Sequence, residues 1–135
     1  MNNCIMTEPT KFRLYMNENS SWRKAIAAQT REFPAFKKML ADATGEHKAS
    51  ETENIQAETH FLKQLALQEK KMQQINHAID LQQKRLALDC ENEGENKYDI
   101  DTLCTQDILR ERIKEIEKNY IDLKCNFMNY LSTLL

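Results

Sequence analysis

The chain has 135 residues, of which 41% are hydrophobic and 30% charged, and its formal net charge is −2. Two glycines and two prolines are too few for the turns of a β-sandwich or for a glycine-rich phosphate loop. A slightly acidic chain also argues against a sequence-independent nucleic-acid binder, which is usually strongly basic. This composition predicts an all-α protein built from long helices.

Compartment and membrane attachment can be judged from apolar runs and cysteines. No apolar run is long enough to predict a membrane span, and the N-terminal pattern does not fit a secretory signal. Without such a signal, we expect the four cysteines to be reduced thiols in a cytoplasmic protein. None of them has a Cys-x-x-Cys spacing, which disfavours a zinc or thioredoxin-like site.

The first predicted helix runs from about residue 20 to 43, preceded by a partly flexible arm over residues 1–19. Asn19 supplies a side chain suited to the helix start. Its apolar seam recurs at spacings of four and three, through Trp22, Ile26, Gln29, Phe33, Phe36 and Leu40. Pro34 interrupts this helix, so we expect a kink, with two short helices as the alternative.

Two longer helices follow, at about 51–91 and 100–134. Ser50 and Glu53 form a predicted capping box before the first, and a charged loop around Gly94 separates the two. The seam of the first contains Phe61, Leu65, Gln68, Met72, Ile75, Ile79, Gln82 and Leu86. The seam of the second contains Leu109, Ile113, Ile116, Tyr120, Leu123, Phe127, Tyr130 and Leu134.

The short loop predicts that these two helices form a long antiparallel, coiled-coil-like hairpin. Matching the two seams end to end places Gln82 opposite Ile113 and Phe61 opposite Leu134. The kinked first helix is expected to be shorter and to pack as a third helix. Residues 20–135 would then form a single three-helix coiled-coil domain. The second face for that helix would come from Leu62, Ala66, Ile121 and Met128.

Because the first helix is predicted to cover half of the hairpin, the half spanning residues 86–109 would be bare. Two helices alone bury too little to be rigid. This predicts a mobile tip, a partner site or self-association, of which a homodimer is the expected form. The residues predicted to make these contacts are Leu86, Leu109, Ile113, Trp22, Phe33 and Phe36.

Residues suited to chemistry are few, and we expect no enzyme, cofactor or metal site. His60 and His77 lie about 25 Å apart along one helix, too far to share a metal. Cys90 and Cys104 fall near each other across the hairpin and could form a redox-labile pair; two reduced thiols are the simpler interpretation.

The sequence thus predicts a non-enzymatic protein–protein interaction, scaffold or adaptor protein that works by packing helix on helix. The alternative is a module that binds nucleic acid or anionic membrane through the first helix. There Lys24, Arg31 and Lys38 repeat every seven residues, widened by Arg23 and Lys37. Pairing of these cations with the acidic hairpin is the simpler explanation of the stripe.

Overall fold

Three α-helices make up the part of the chain that the computed structural model describes, residues 11–46, 51–93 and 100–134. They are α1 (Lys11–Glu46), α2 (Glu51–Glu93) and α3 (Ile100–Leu134), and these ranges contain no strand. The predicted all-α architecture, a helical hairpin with a third helix packed against it, is confirmed. The predicted capping residue Ser50 and the loop residue Gly94 lie outside the described residues.

Helix α1 is longer than the sequence analysis predicted. It begins at Lys11 rather than near residue 20, and its 36 residues match the 35 of α3. Asn19 is therefore not a helix cap, since it lies within α1. Its side chain is fully buried in the core between the helices. Residues 11–19 are helical rather than an arm, while residues 1–10 lie outside the described part.

Pro34 lies within α1, and the helix continues on both sides of it. The alternative of two short helices is therefore wrong. The proline is exposed, whereas Phe33 and Phe36 beside it are buried in the seam.

Backbone contacts divide the chain into two units that each contain parts of all three helices. Unit 1 comprises Met1–Ile26 and Gln73–Lys114, and unit 2 comprises Ala27–Met72 and Glu115–Leu135.

In unit 2 the core is aromatic. Phe33 of α1 lies 6.3 Å from Tyr120 of α3, and Phe36 lies 5.4 Å from Phe127 in an edge-on contact, measured between ring centroids. Phe61 of α2 packs against Phe127 at 5.5 Å, so α2 also contributes to this aromatic cluster. Such edge-on pairs are favoured by the ring quadrupole.

The prediction that four residues beside the seams of α2 and α3 form the packing surface for α1 is wrong in unit 2. Leu62, Ala66, Ile121 and Met128 are exposed, so α1 does not cover them. Helix α1 packs instead on the seam residues of α3, which leaves these four side chains at the surface.

In unit 1 the core is aliphatic, with a polar layer inside it. Its fully buried apolar side chains include Ile75, Ile79, Leu86 and Leu109. Helix α1 reaches this core, because Asn19 and Glu18 bond to Gln106 of α3. The expectation that residues 86–109 form a bare two-helix half is therefore wrong for the described part of that segment.

The register between α2 and α3 differs from the predicted one by one heptad. In unit 1 Gln82 lies against Gln106, not Ile113. In unit 2 Phe61 lies against Phe127, seven residues before the predicted partner. A heptad shift keeps every apolar seam residue on the buried side, so the apolar pattern alone does not distinguish the two registers.

Candidate interaction surface

A layer of three amide side chains, one from each helix, lies inside unit 1. Gln82 Nε2 donates to Gln106 Oε1 at 3.1 Å and to the Thr102 carbonyl at 2.8 Å. Gln106 Nε2 donates to Asn19 Oδ1, also at 2.8 Å. The three amide side chains and that of Thr102 are at most 1% exposed. The layer links α1, α2 and α3, and it is not a catalytic arrangement because it presents no group to solvent.

An ion pair extends this layer to the surface of unit 1. Arg110 Nε lies 2.7 Å from Glu18 Oε2, and Arg110 Nη1 lies 2.8 Å from Asp107 Oδ1. Burial raises the pKa of Glu18, but hydrogen bonds from Arg110 and Gln106 outweigh it and leave the pKa below its ordinary value. Glu18 is thus held as a carboxylate that ties α1 to α3.

Unit 2 has a comparable polar contact between α1 and α3. Tyr120 donates its hydroxyl hydrogen to Glu32, and Lys124 Nζ lies 3.1 Å from the other oxygen of that carboxylate. These hydrogen bonds lower the pKa of Glu32. Burial, followed by the neighbouring Glu32, raises the pKa of Tyr120. The geometry favours a neutral tyrosine bound to an ionised glutamate, which is a structural contact between helices.

The residues predicted to meet a partner lie mostly in the core of the chain itself. Leu86, Leu109, Ile113, Phe33 and Phe36 are at most 4% exposed. Trp22, the sixth, is half-buried. A partner could contact the five buried side chains only if the helices separated.

The cysteines do not form the pair that the sequence suggested. Cys104 and Cys125 are free and exposed. Cys90 is fully buried and disulfide-bonded, so the expectation of reduced thiols fails at this position. Since Cys104 is free, the predicted Cys90–Cys104 pair is absent. The cytoplasmic location stays a prediction.

The basic stripe of α1 is partly neutralised. Arg23 forms an ion pair with Asp80 in unit 1, and Lys37 Nζ lies 3.0 Å from Glu69 Oε1 in unit 2. Both acids belong to α2, so pairing with the hairpin explains the two flanking cations. Lys24, Arg31 and Lys38, which define the stripe, are exposed and form no ion pair within the described ranges, so the simpler explanation does not extend to them.

A shallow cavity of about 230 Å³ lies between α2 and α3 in unit 2. Its apolar part is formed by Phe61, Leu67 and Leu123, and polar side chains make up the rest of its lining. No group of three or more potential metal ligands occurs among the described residues. The described lining of the cavity therefore contains no cluster of metal ligands.

Unit 1 exposes large apolar side chains on α2 and α3. Leu81 is 52% exposed, Leu88 is 56% exposed and Ile108 is 57% exposed. Between them Arg85 Nη1 reaches the Thr105 hydroxyl at 3.5 Å, which shows that the two helices border one groove here. We call this surface the α2–α3 face, consisting of Leu81, Arg85, Leu88, Thr105, Ile108 and Arg112.

The sequence contains a heptad repeat beside the seam that indicates part of this face. Leu81 and Leu88 are seven residues apart and each lies two residues after a seam position, Ile79 or Leu86. Repetition with the heptad places both on one line along α2, beside the seam and outside the core.

Comparisons with known proteins add no family assignment. No family model, no curated protein and no solved structure matches this chain. Within the described residues, none of the helices is long and apolar enough to cross a membrane.

Proposed function

We propose that this chain is a non-enzymatic interaction protein, an adaptor or scaffold that binds a partner protein through the outer surface of its helices. The observation that carries the proposal is the α2–α3 face of unit 1, where three large aliphatic side chains are more than half exposed. Single exposed leucines are ordinary, but three around one interhelical groove suit a partner helix.

This proposal moves the contact from the seam to the surface beside it. The predicted contact residues Leu86, Leu109 and Ile113 are buried in unit 1, so they act as the support of the face. The argument for a homodimer rested on an uncovered seam, and that seam is covered by α1. We therefore propose a different protein as the partner and treat a second copy as an outcome of the test.

The test is affinity capture with the immobilised full chain and with a Leu81→Glu/Ile108→Glu variant. Both positions are exposed, so helix content and thermal unfolding should match those of the original chain. The matched control is Leu14→Glu, since Leu14 is 57% exposed in unit 1 but lies on α1.

We expect a partner that is captured by the original chain and by Leu14→Glu and is lost with the double variant. Capture of the same partner by all three chains would contradict the proposal. So would a concentration-dependent dimer that the double variant abolishes, because the face would then be occupied by a second copy.

A further inference from the structure

On both helices of the α2–α3 face, aliphatic and arginine side chains recur at helical spacing. On α2, Leu81, Arg85 and Leu88 follow one another at spacings of four and three residues. On α3, Thr105, Ile108 and Arg112 follow at spacings of three and four. Residues at such spacings are neighbours on one side of a helix. Each helix thus brings aliphatic side chains and one arginine to the same groove.

The two arginines of this face lack acidic partners. Neither Arg85 nor Arg112 forms an ion pair within the described ranges, and both are exposed. Arg85 makes only the long hydrogen bond to Thr105. The other arginines that the structure pairs in unit 1 are bound to carboxylates, Arg23 to Asp80 and Arg110 to Glu18.

Three of the nearby acids bind other side chains. Asp89 accepts a hydrogen bond from Thr102, Asp107 pairs with Arg110, and Glu111 pairs with Lys114. Two exposed acids lie on this side of α3 and form no ion pair within the described ranges: Asp101, four residues before Thr105, and Glu115, three residues after Arg112. The groove is bordered by aliphatic side chains and by two guanidinium groups that form no ion pair within the described ranges.

We propose that the α2–α3 face binds an acidic amphipathic helix of a partner protein. The partner's aliphatic side chains would cover Leu81, Leu88 and Ile108, and its flanking carboxylates would pair with the guanidinium groups. Guanidinium suits this role because its planar donors match a carboxylate in two parallel hydrogen bonds. This inference rests on the proposed function and adds the chemical class of the partner.

Charge also favours a partner helix over a second copy. Two copies joined through this face would place the arginines of both in one interface, whereas a glutamate-rich helix would supply a carboxylate for each of them. Juxtaposed like charges disfavour an association, whereas opposite charges steer it and fix its orientation. An acidic helix from another protein satisfies both the apolar and the charged part of the face.

The experiment uses two synthetic helical peptides of about three heptads, each with the same leucine stripe. One carries glutamates beside the stripe and the other carries lysines. Binding of each labelled peptide to the full chain is followed by fluorescence anisotropy at low and high salt. We expect the glutamate peptide to bind at least about tenfold more tightly, with an advantage that shrinks at high salt.

Reversing the charge of the two arginines tests whether they cause the preference for the glutamate peptide. Arg85→Glu/Arg112→Glu should reverse the preference between the peptides, whereas Lys11→Glu/Lys24→Glu, with the same change in net charge, should retain it. Lys11 and Lys24 are exposed in unit 1 but lie on α1, off the face. All four substitutions are at the surface, and circular dichroism checks that helix content is unchanged.

Equal binding of both peptides, or a preference that the Arg85→Glu/Arg112→Glu variant does not alter, would overturn the inference. Affinity capture separates this failure from that of the proposed function. If the partner is lost with Leu81→Glu/Ile108→Glu but kept with Arg85→Glu/Arg112→Glu, the proposed function stands and the acidic helix is wrong.

Discussion

Gln82 and Gln106 lie against each other in the interior of unit 1, with 3.1 Å between the Gln82 amide nitrogen and the Gln106 amide oxygen. The pair explains which of two heptad registers the hairpin adopts. In the register predicted from the apolar seams, Gln82 would face Ile113 and lose its side-chain partner. A buried amide without a partner is costly, so the polar pair favours the observed register.

Removing Gln106 should destabilise the fold because this side chain joins the other two members of the amide layer. Gln106→Leu leaves Asn19 Oδ1 without its donor and Gln82 without one of its acceptors. We expect a loss of about 1–3 kcal/mol in the free energy of unfolding, measured by urea denaturation.

The matched control is Gln68→Leu in unit 2. Gln68 makes one hydrogen bond there, from Nε2 to the Ile116 carbonyl at 3.0 Å. A helical carbonyl keeps its own backbone bond, and leucine adds apolar burial, so the change should stay within about 1 kcal/mol. Equal losses for the two variants would show that the amide layer has no special role.

Acid should destabilise the protein through Glu18 and Glu32. The pKa of each lies below the ordinary value of 4.5, so both favour the folded state above that pH. Their contribution is present above the unfolded pKa and is lost as pH falls through the folded pKa. Urea midpoints measured from pH 7 down to about pH 3 should therefore decline at the acid end.

Substitution tests whether Glu18 and Glu32, rather than other carboxylates, cause the loss of stability in acid. Glu18→Gln and Glu32→Gln should each lower the urea midpoint at neutral pH and flatten its decline in acid. Glu115→Gln is the control, since Glu115 is exposed and forms no ion pair within the described ranges. An acid decline that is as steep in both variants as in the original chain would rule out this cause.

Replacing Pro34 by alanine should stabilise the protein. Proline inside a helix removes one backbone hydrogen bond and crowds the preceding turn. Since Pro34 is exposed and α1 is continuous around it, Pro34→Ala should raise the free energy of unfolding by about 1–3 kcal/mol. Ala35→Gly, also exposed, should lower it by about 1 kcal/mol. No gain for Pro34→Ala would contradict this prediction, because Pro34 would then not destabilise α1.

Thiol labelling tests the arrangement of the cysteines. Cys104 and Cys125 are free and exposed, so maleimide should modify both in the folded protein without reductant. Peptide mass mapping would identify the modified residues, and Cys104→Ser should remove only one of the two labels. If Cys104 became reactive only after reduction, it would be disulfide-bonded, as the sequence hypothesis of a Cys90–Cys104 pair required.

The sequence predicted α2 and α3 to within two residues because their seams are regular and their ends carry clear signals. It missed the first part of α1 because Asn19 resembles a helix cap. Phe12, Tyr15 and Asn19 in fact extend the seam of α1 at spacings of three and four. The sequence pattern does not distinguish a polar seam residue from a helix cap here, because Gln106, the buried partner of Asn19, is far away in the sequence.

The position of the proposed interaction surface could be predicted only in part. Seam spacing identified Leu86 and Leu109 correctly as residues of helix contacts, but those contacts lie within the chain. Which side chains remain exposed depends on how the third helix packs. Leu81 and Ile108 therefore became candidates only once α1 was placed.

The most direct test of the account is an NMR titration of the isotope-labelled chain with the glutamate peptide. The account predicts that the amide signals of residues 81–88 and 105–112 change on binding. It also predicts that signals around Lys24, Arg31 and Lys38 stay in place. Changes centred on the basic residues of α1 would contradict the account and favour binding of anions by the first helix.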